Sequence, residues 1–367
     1  MIFNLVKHET DLRELHKLTE LFFGQLDSVT SFDKIRFPDW YKAVFGRSDL
    51  DAKLEELFQA YKKLTGEQQQ EVMAAIRDTN RVADLCENNS GLKAVCLKKF
   101  PAAFQQPLKN LFVHLWENAL RSPKFNDHFS TGLEDFIDKF IAENKSIEVC
   151  PFCALESFYN LQGQSRREID HWLCKEQYPY LAVNFDNLVP IGHDCNTSPA
   201  KGNKDVLASL VKHQRAYYPY CKHDGISVAF NFLNEPTLTN DIKKGDWELV
   251  IKPNDPKDDD LVESWKKLFN IQQRYESAIN DKVFKLWEGK YMKRFPKCCK
   301  NIEEFRDNLL KFKETFYKDE QPLTLLYWAF LDYLLERASE KYLEGLCCNF
   351  IHLAHANQKI KGSDSEE

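Results

Sequence analysis

One stretch constrains this chain more than all the rest: residues 150–204, which carry CPFC, then REIDHW, then NFDNLVPIGHDCN, then AKGNK. Cys150-Pro-Phe-Cys153 presents two thiols from one tight turn, the spacing of a metal-binding knuckle. Asp170-His171 sets a carboxylate beside an imidazole. A carboxylate oxygen is a hard ligand for Mg²⁺ or Mn²⁺. An imidazole titrates at about pH 6.5 and can accept a proton at neutral pH. On a continuing strand, neighbours point to opposite faces, so the two can share one site only where the strand ends and bends. Asn187 opens the apolar run Leu188-Val189-Pro190-Ile191, which reads as a second strand, and Asn196 follows where the chain should enter a helix. Lys201 and Lys204 come next, with the chemistry of point charges for phosphate. Taken singly, the Asp-His pair is commonplace, the asparagines suit turns and helix caps, and the lysines suit a solvated surface. Order and spacing together say more.

In that order and spacing the window resembles the HNH, or ββα-metal, endonucleases. The resemblance implies a β-hairpin followed by a helix, with one catalytic Mg²⁺ or Mn²⁺ held by Asp170 and Asn196. It assigns His171 to deprotonate water for in-line attack on a phosphodiester, and Asn187 to hold the loop carrying His171. Lys201 and Lys204 would contact substrate phosphates. Asn196 stands where the motif's name places its final His, a variation that occurs within the superfamily. Many such domains also carry a structural zinc between Cys150-x-x-Cys153 and a second Cys-x-x-Cys. Here the second pair reads Gly192-His193-Asp194-Cys195, so the expected zinc ligands are Cys150, Cys153 and Cys195 with His193 as the fourth. Cys174, Cys221 and His223 are further candidates. The bland alternative is a set of reduced, packed thiols without metal. The resemblance is closest to stand-alone bacterial HNH nuclease subunits of anti-phage and retron defence systems, which implies DNA as substrate and an ATPase or sensor subunit as protein partner.

The flanks read differently. Leu12, Leu15, Leu18, Phe22 and then Leu54, Leu57, Phe58, Tyr61 recur at three-four spacing, as do Leu111, Phe112, Leu115, Trp116 and Leu120. Asp51, Ser122 and Thr131 are plausible helix starts. Residues 1–145 therefore read as a helical N-terminal region and 146–225 as the nuclease domain, its helix running from Lys204 to Arg215. Residues 226–358 read as a β-hairpin followed by a helical C-terminal region, and 359–367 as a polar, disordered tail. In the hairpin, Ile226, Val228, Phe230 and Phe232 alternate with smaller or polar residues, and Trp247–Ile251 is the partner across a turn at residues 240–245. The polar stretch 254–260 is the best internal boundary after the nuclease unit. Leu325, Leu326, Trp328, Phe330, Leu331, Leu334 and Leu335 make a helix so apolar that it belongs in a core or an interface. The fold class is thus mainly α, with a small α+β insert between two helical segments.

Composition narrows the function classes. With 43% hydrophobic and 13% aromatic residues, most of the 367-residue chain has material for a packed core. No run of about 18 apolar residues and no signal-peptide pattern is present, which points to the cytoplasm. Eleven cysteines, an odd number, fit reduced thiols better than a disulfide framework. The net charge of −6 opposes general binding to nucleic acid, but residues 199–223 carry Lys201, Lys204, Lys212, Arg215 and Lys222 against Asp205 alone. The expected activity is metal-dependent hydrolysis of DNA. Its rivals are a nucleic-acid-binding or assembly module with a structural ββα unit, and a nuclease directed at RNA.

Overall fold

A computed structural model describes residues 3–46, 48–88, 91–144, 147–157, 167–207, 214–236, 246–296, 299–316 and 321–363. It is mainly helical, with two small antiparallel sheets. The chain divides into two compact units, the larger segments being 4–145 with 167–223 and 146–166 with 224–367. The division cuts the expected nuclease domain at residue 166, placing its knuckle in one unit and its hairpin in the other. A hairpin of two five-residue strands has too little surface to bury a core of its own, and it draws on the helices before it.

The first unit carries α1 (Glu14–Gln25), α2 (Asp39–Phe45), α3 (Asp49–Lys62), α4 (Gly66–Thr79), α5 (Val82–Glu87), α6 (Ala102–His114), α7 (Pro123–Phe129) and α8 (Leu133–Glu143). Their starts are set by local chemistry. Thr65 caps α4 by accepting from the Gln68 amide at 3.3 Å, while the Gln68 side chain accepts from the Thr65 amide at 3.1 Å. Ser48, three residues before the start expected at Asp51, caps α3 through the Leu50 amide. The central helix is α6, whose Phe104, Leu108, Leu111 and Phe112 are essentially fully buried. Burial of each such side chain contributes about 1.5–3 kcal/mol. The helix ends in a π-helical turn, Leu115–Ala119, that turns Trp116 inward.

Within the same unit β1 (Arg167–His171) pairs antiparallel with β2 (Leu188–Gly192), Asp170 opposite Val189 and His171 opposite Leu188. One helical turn follows, α9 (His193–Asn196). The long helix expected over Lys204–Arg215 is not there among the described residues: 204–205 are irregular, 206–207 form a turn, and 208–213 lie outside them. Pro199 lacks an amide donor and Gly202 sits at φ +44, so α9 does not continue as a helix through 199–202.

The second unit holds β3 (Ile226–Phe232) paired antiparallel with β4 (Trp247–Pro253), Phe230 opposite Leu249. The turn expected at 240–245 lies outside the described residues. Then come α10 (Asp259–Phe269), α11 (Ile271–Ala278), α12 (Phe284–Arg294), α13 (Ile302–Lys313), α14 (Thr324–Glu336) and α15 (Glu340–Ser363). The apolar α14 lies on β3, where Phe330 and Tyr333 meet Phe230 edge-on at 5.5 and 5.6 Å. The polar stretch 254–260 joins β4 directly to α10 inside this unit, so it marks no boundary. Residues 359–363, expected to be disordered, continue α15, and 364–367 lie outside the described residues. No helix among the described residues is long and apolar enough to cross a membrane.

Candidate functional site

Two sites emerge, one in each unit. In the first, strand alternation puts Glu168 and Asp170 on one face of β1 and His171 on the other. The strand does not end at Asp170, since His171 still pairs with Leu188. His171 is therefore not on the carboxylate face, where the reading as water-activating base requires it. The residue is 5% exposed, its ring meets Trp116 edge-on at 4.5 Å, and Nε2 lies 2.9 Å from the Ala182 carbonyl oxygen. Burial lowers its pKa to about 4, which leaves a neutral imidazole whose Nε2–H donates to that carbonyl.

A stability prediction follows from that shift. The unfolded chain takes up the proton at about pH 6.5, whereas the folded chain does so only at about pH 4. The contribution is therefore fully present above pH ~6.5 and is lost as pH falls towards 4, on the order of 3 kcal/mol in all. Urea unfolding at pH 7.0 and 4.5 should show this loss, with a smaller loss in His171→Gln. Equal pH dependence in the two proteins would contradict the assignment.

The other face of β1 is where polar groups gather. Glu168 Oε1 lies 2.7 Å from His193 Nδ1, and Glu168 Oε2 accepts from the Asn196 side-chain amide. His193, at the first position of α9, keeps 61% of its side chain exposed. Asp170 Oδ2 is 2.5 Å from Lys201 Nζ, which also donates to the His171 carbonyl at 2.9 Å. Lys201 is completely buried, so it does not face solvent as a phosphate contact would. A buried carboxylate demands a cation beside it, and the lysine supplies one. Burial pushes the Asp170 carboxyl above its ordinary range, opposed by the Lys201 ammonium. Lys204 is exposed, with Nζ 2.5 Å from the Pro199 carbonyl.

Asn187 is fully buried and grips the segment after β1 with both ends of its amide. Oδ1 accepts from the Leu173 amide at 2.7 Å, and Nδ2 donates to the Leu173 carbonyl at 3.0 Å. Cys195 is fully buried on α9. Of the other zinc candidates, Cys174 Sγ donates to the Asn203 carbonyl, and His223 lies beside Tyr217 and Glu87. Cys221 is half-buried.

The second unit contains the knuckle. Cys150, Cys153 and Glu156 offer ligand atoms that lie within 4.8 Å of one another, a group that can hold a metal ion. Both cysteines are fully buried. The turn is closed by the Ala154 amide on the Cys150 carbonyl at 2.8 Å and the Cys150 amide on the Glu156 carbonyl at 3.0 Å. The Leu155 amide points at Cys153 Sγ from 3.4 Å, a contact that favours a thiolate. Three backbone carbonyls of the turn are taken by the surrounding helices: Phe152 by the Trp265 indole, Cys153 by the Tyr275 hydroxyl and Ala154 by the Leu323 amide. The knuckle is thus fixed from outside as well as within.

Two residues escaped the sequence reading. Glu168 lies two residues before Asp170, and period-two alternation alone puts both on one face. Glu156 lies three residues after Cys153, which makes the knuckle a Cys-x-x-Cys-x-x-Glu series. His193, expected at the zinc, is turned towards Glu168 instead. The chain matches no family model, no curated protein and no solved structure.

Proposed function

We propose that this chain is an HNH-type, metal-dependent endonuclease acting on DNA. The observation that carries the reading is the polar face of the β1–β2–α9 unit, where Glu168 meets His193 and Asn196 and, two residues along the same strand face, Asp170 meets Lys201. Asp170, Asn196 and Glu168 offer hard oxygen donors, which fit Mg²⁺ or Mn²⁺ once the Lys201 contact is relaxed. Bound there, the cation would supply charge stabilisation at the scissile phosphate. The chain itself supplies the rest. His193, oriented through Nδ1 by the Glu168 carboxylate, is the exposed imidazole on this face and accepts the proton of the attacking water at Nε2. Asn187 holds the segment after β1 so that the face keeps its shape. Lys204 and Lys222 supply phosphate contacts.

A separate zinc belongs to the knuckle. We propose that Cys150, Cys153 and Glu156 hold it, with Cys195 as the fourth ligand that the order of the motif points to. Thiolates select zinc, whereas the Asp170 face selects the harder cation.

The burial of His171 favours one rival, a nucleic-acid-binding module whose ββα unit is structural. Nicking of supercoiled plasmid with Mg²⁺, Mn²⁺ or EDTA separates them, with a structured RNA assayed in parallel. The endonuclease reading expects nicking with either metal, none with EDTA, and a loss of about 10²-fold or more in Asn196→Ala. Binding without cleavage of DNA or RNA in any metal would establish the rival.

A further inference from the structure

We infer that Lys201 is a built-in competitor for the divalent cation at Asp170: its ammonium holds the carboxylate in the metal-free protein and must leave before the metal enters. The inference rests on the reading just given, in which Asp170 is a metal ligand. Asp170 and Lys201 meet at 2.5 Å with the lysine fully buried. The contact is built into the chain on both sides of the lysine. The Lys201 amide donates to the Cys195 carbonyl at 3.1 Å, and the Lys204 amide donates to the Lys201 carbonyl at 2.9 Å. The ammonium has a second acceptor, the His171 carbonyl at 2.9 Å, and lies 6.0 Å from the Trp172 ring. Such a lysine is not a surface charge that has drifted onto an acid.

One carboxylate oxygen cannot be fully engaged by an ammonium at 2.5 Å and by a divalent ion at bonding distance. Two cations that close would repel strongly in a site with little water. The two must exchange. The four-carbon stem of lysine lets its ammonium swing away while the backbone stays in place. Gly202, in the left-handed region at φ +44, follows directly and breaks the regularity of this stretch. Divalent affinity is therefore set by the difference between metal and lysine at the same acid. Once released, the ammonium stands beside the site as a point charge for phosphate, the role its sequence position suggests.

Mn²⁺ titration of the full-length, zinc-loaded protein, followed by paramagnetic resonance of free Mn²⁺, tests this. Lys201→Met should bind Mn²⁺ about 10-fold or more tighter than wild type, and the gain should vanish in the Lys201→Met, Asp170→Asn double variant. Equal Mn²⁺ affinity in wild type and Lys201→Met would overturn the inference, as would no binding by either. If Lys201→Met does not fold, wild type alone decides through amine labelling read by peptide mass spectrometry. Lys201 should be protected without metal and labelled at saturating Mn²⁺, and unchanged labelling at saturation would overturn the inference. Plasmid nicking on the same samples keeps the two questions apart. Nicking without an affinity gain removes only the lysine competition, and an affinity gain without nicking removes only the nuclease reading.

Discussion

Replacing His193 by Ala lowers the plasmid-nicking rate by about 10²–10⁴-fold, while replacing His171 by Ala mainly lowers stability. The two imidazoles differ in what surrounds them. His193 is 61% exposed, and its partner Glu168 is 37% exposed. An exposed pair of this kind contributes little to folding, under about 1 kcal/mol, so its loss should be read almost wholly in rate. His171 is buried, donates to the Ala182 carbonyl and packs on Trp116. Its truncation leaves a cavity and an unmatched carbonyl, a cost of about 2–4 kcal/mol. Single-turnover nicking beside urea unfolding of both variants gives the comparison. If well-folded His193→Ala nicks at the wild-type rate, and His171→Ala loses all rate at unchanged stability, the base is His171. The β1 strand would then have to bend away from its pairing with Leu188 in the working enzyme.

Much of the scaffold was legible because it depends on local periodicity. Leu54, Leu57, Phe58 and Tyr61 repeat at helical spacing, and all four are buried on α3. Ile226–Phe232 alternates at period two and forms β3. The nearly all-apolar run of α14 demanded a core, and β3 lies against it. What local pattern could not supply was the choice between continuing and bending a strand at Asp170-His171. That choice is made by packing from a distant segment, the inward Trp116 of the π turn after α6, which gives the imidazole an apolar seat. Lys201 was misjudged for a related reason. Lysine is mostly exposed, and only a buried acid held at the right distance makes its complete burial favourable. The short α9 has a local cause, since Pro199 and Gly202 are visible in the chain and argue against a helix through 199–202.

The other large effect concerns the knuckle. One zinc per chain is expected by metal analysis, and Cys150→Ser should lose it together with about 10 °C or more of thermal stability. Two fully buried cysteines with a half-buried carboxylate beside them are a ligand set whose charge a bound cation offsets. With zinc bound, the same groups become a cross-link inside a turn whose carbonyls already anchor Trp265, Tyr275 and Leu323. Loss of the metal should therefore loosen the helices that carry those three residues, and near-ultraviolet circular dichroism of the tryptophans should report it. Glu156→Gln tests the oxygen ligand, with weaker zinc retention expected against a chelator. Cys195→Ser tests the proposed fourth ligand in the same way. His193→Ala should keep its zinc, because that imidazole is turned towards Glu168, and zinc loss in this variant would return His193 to the ligand set. A wild-type protein free of zinc and indifferent to chelators would reduce the knuckle to packing, with Glu156 beside it by coincidence of the turn.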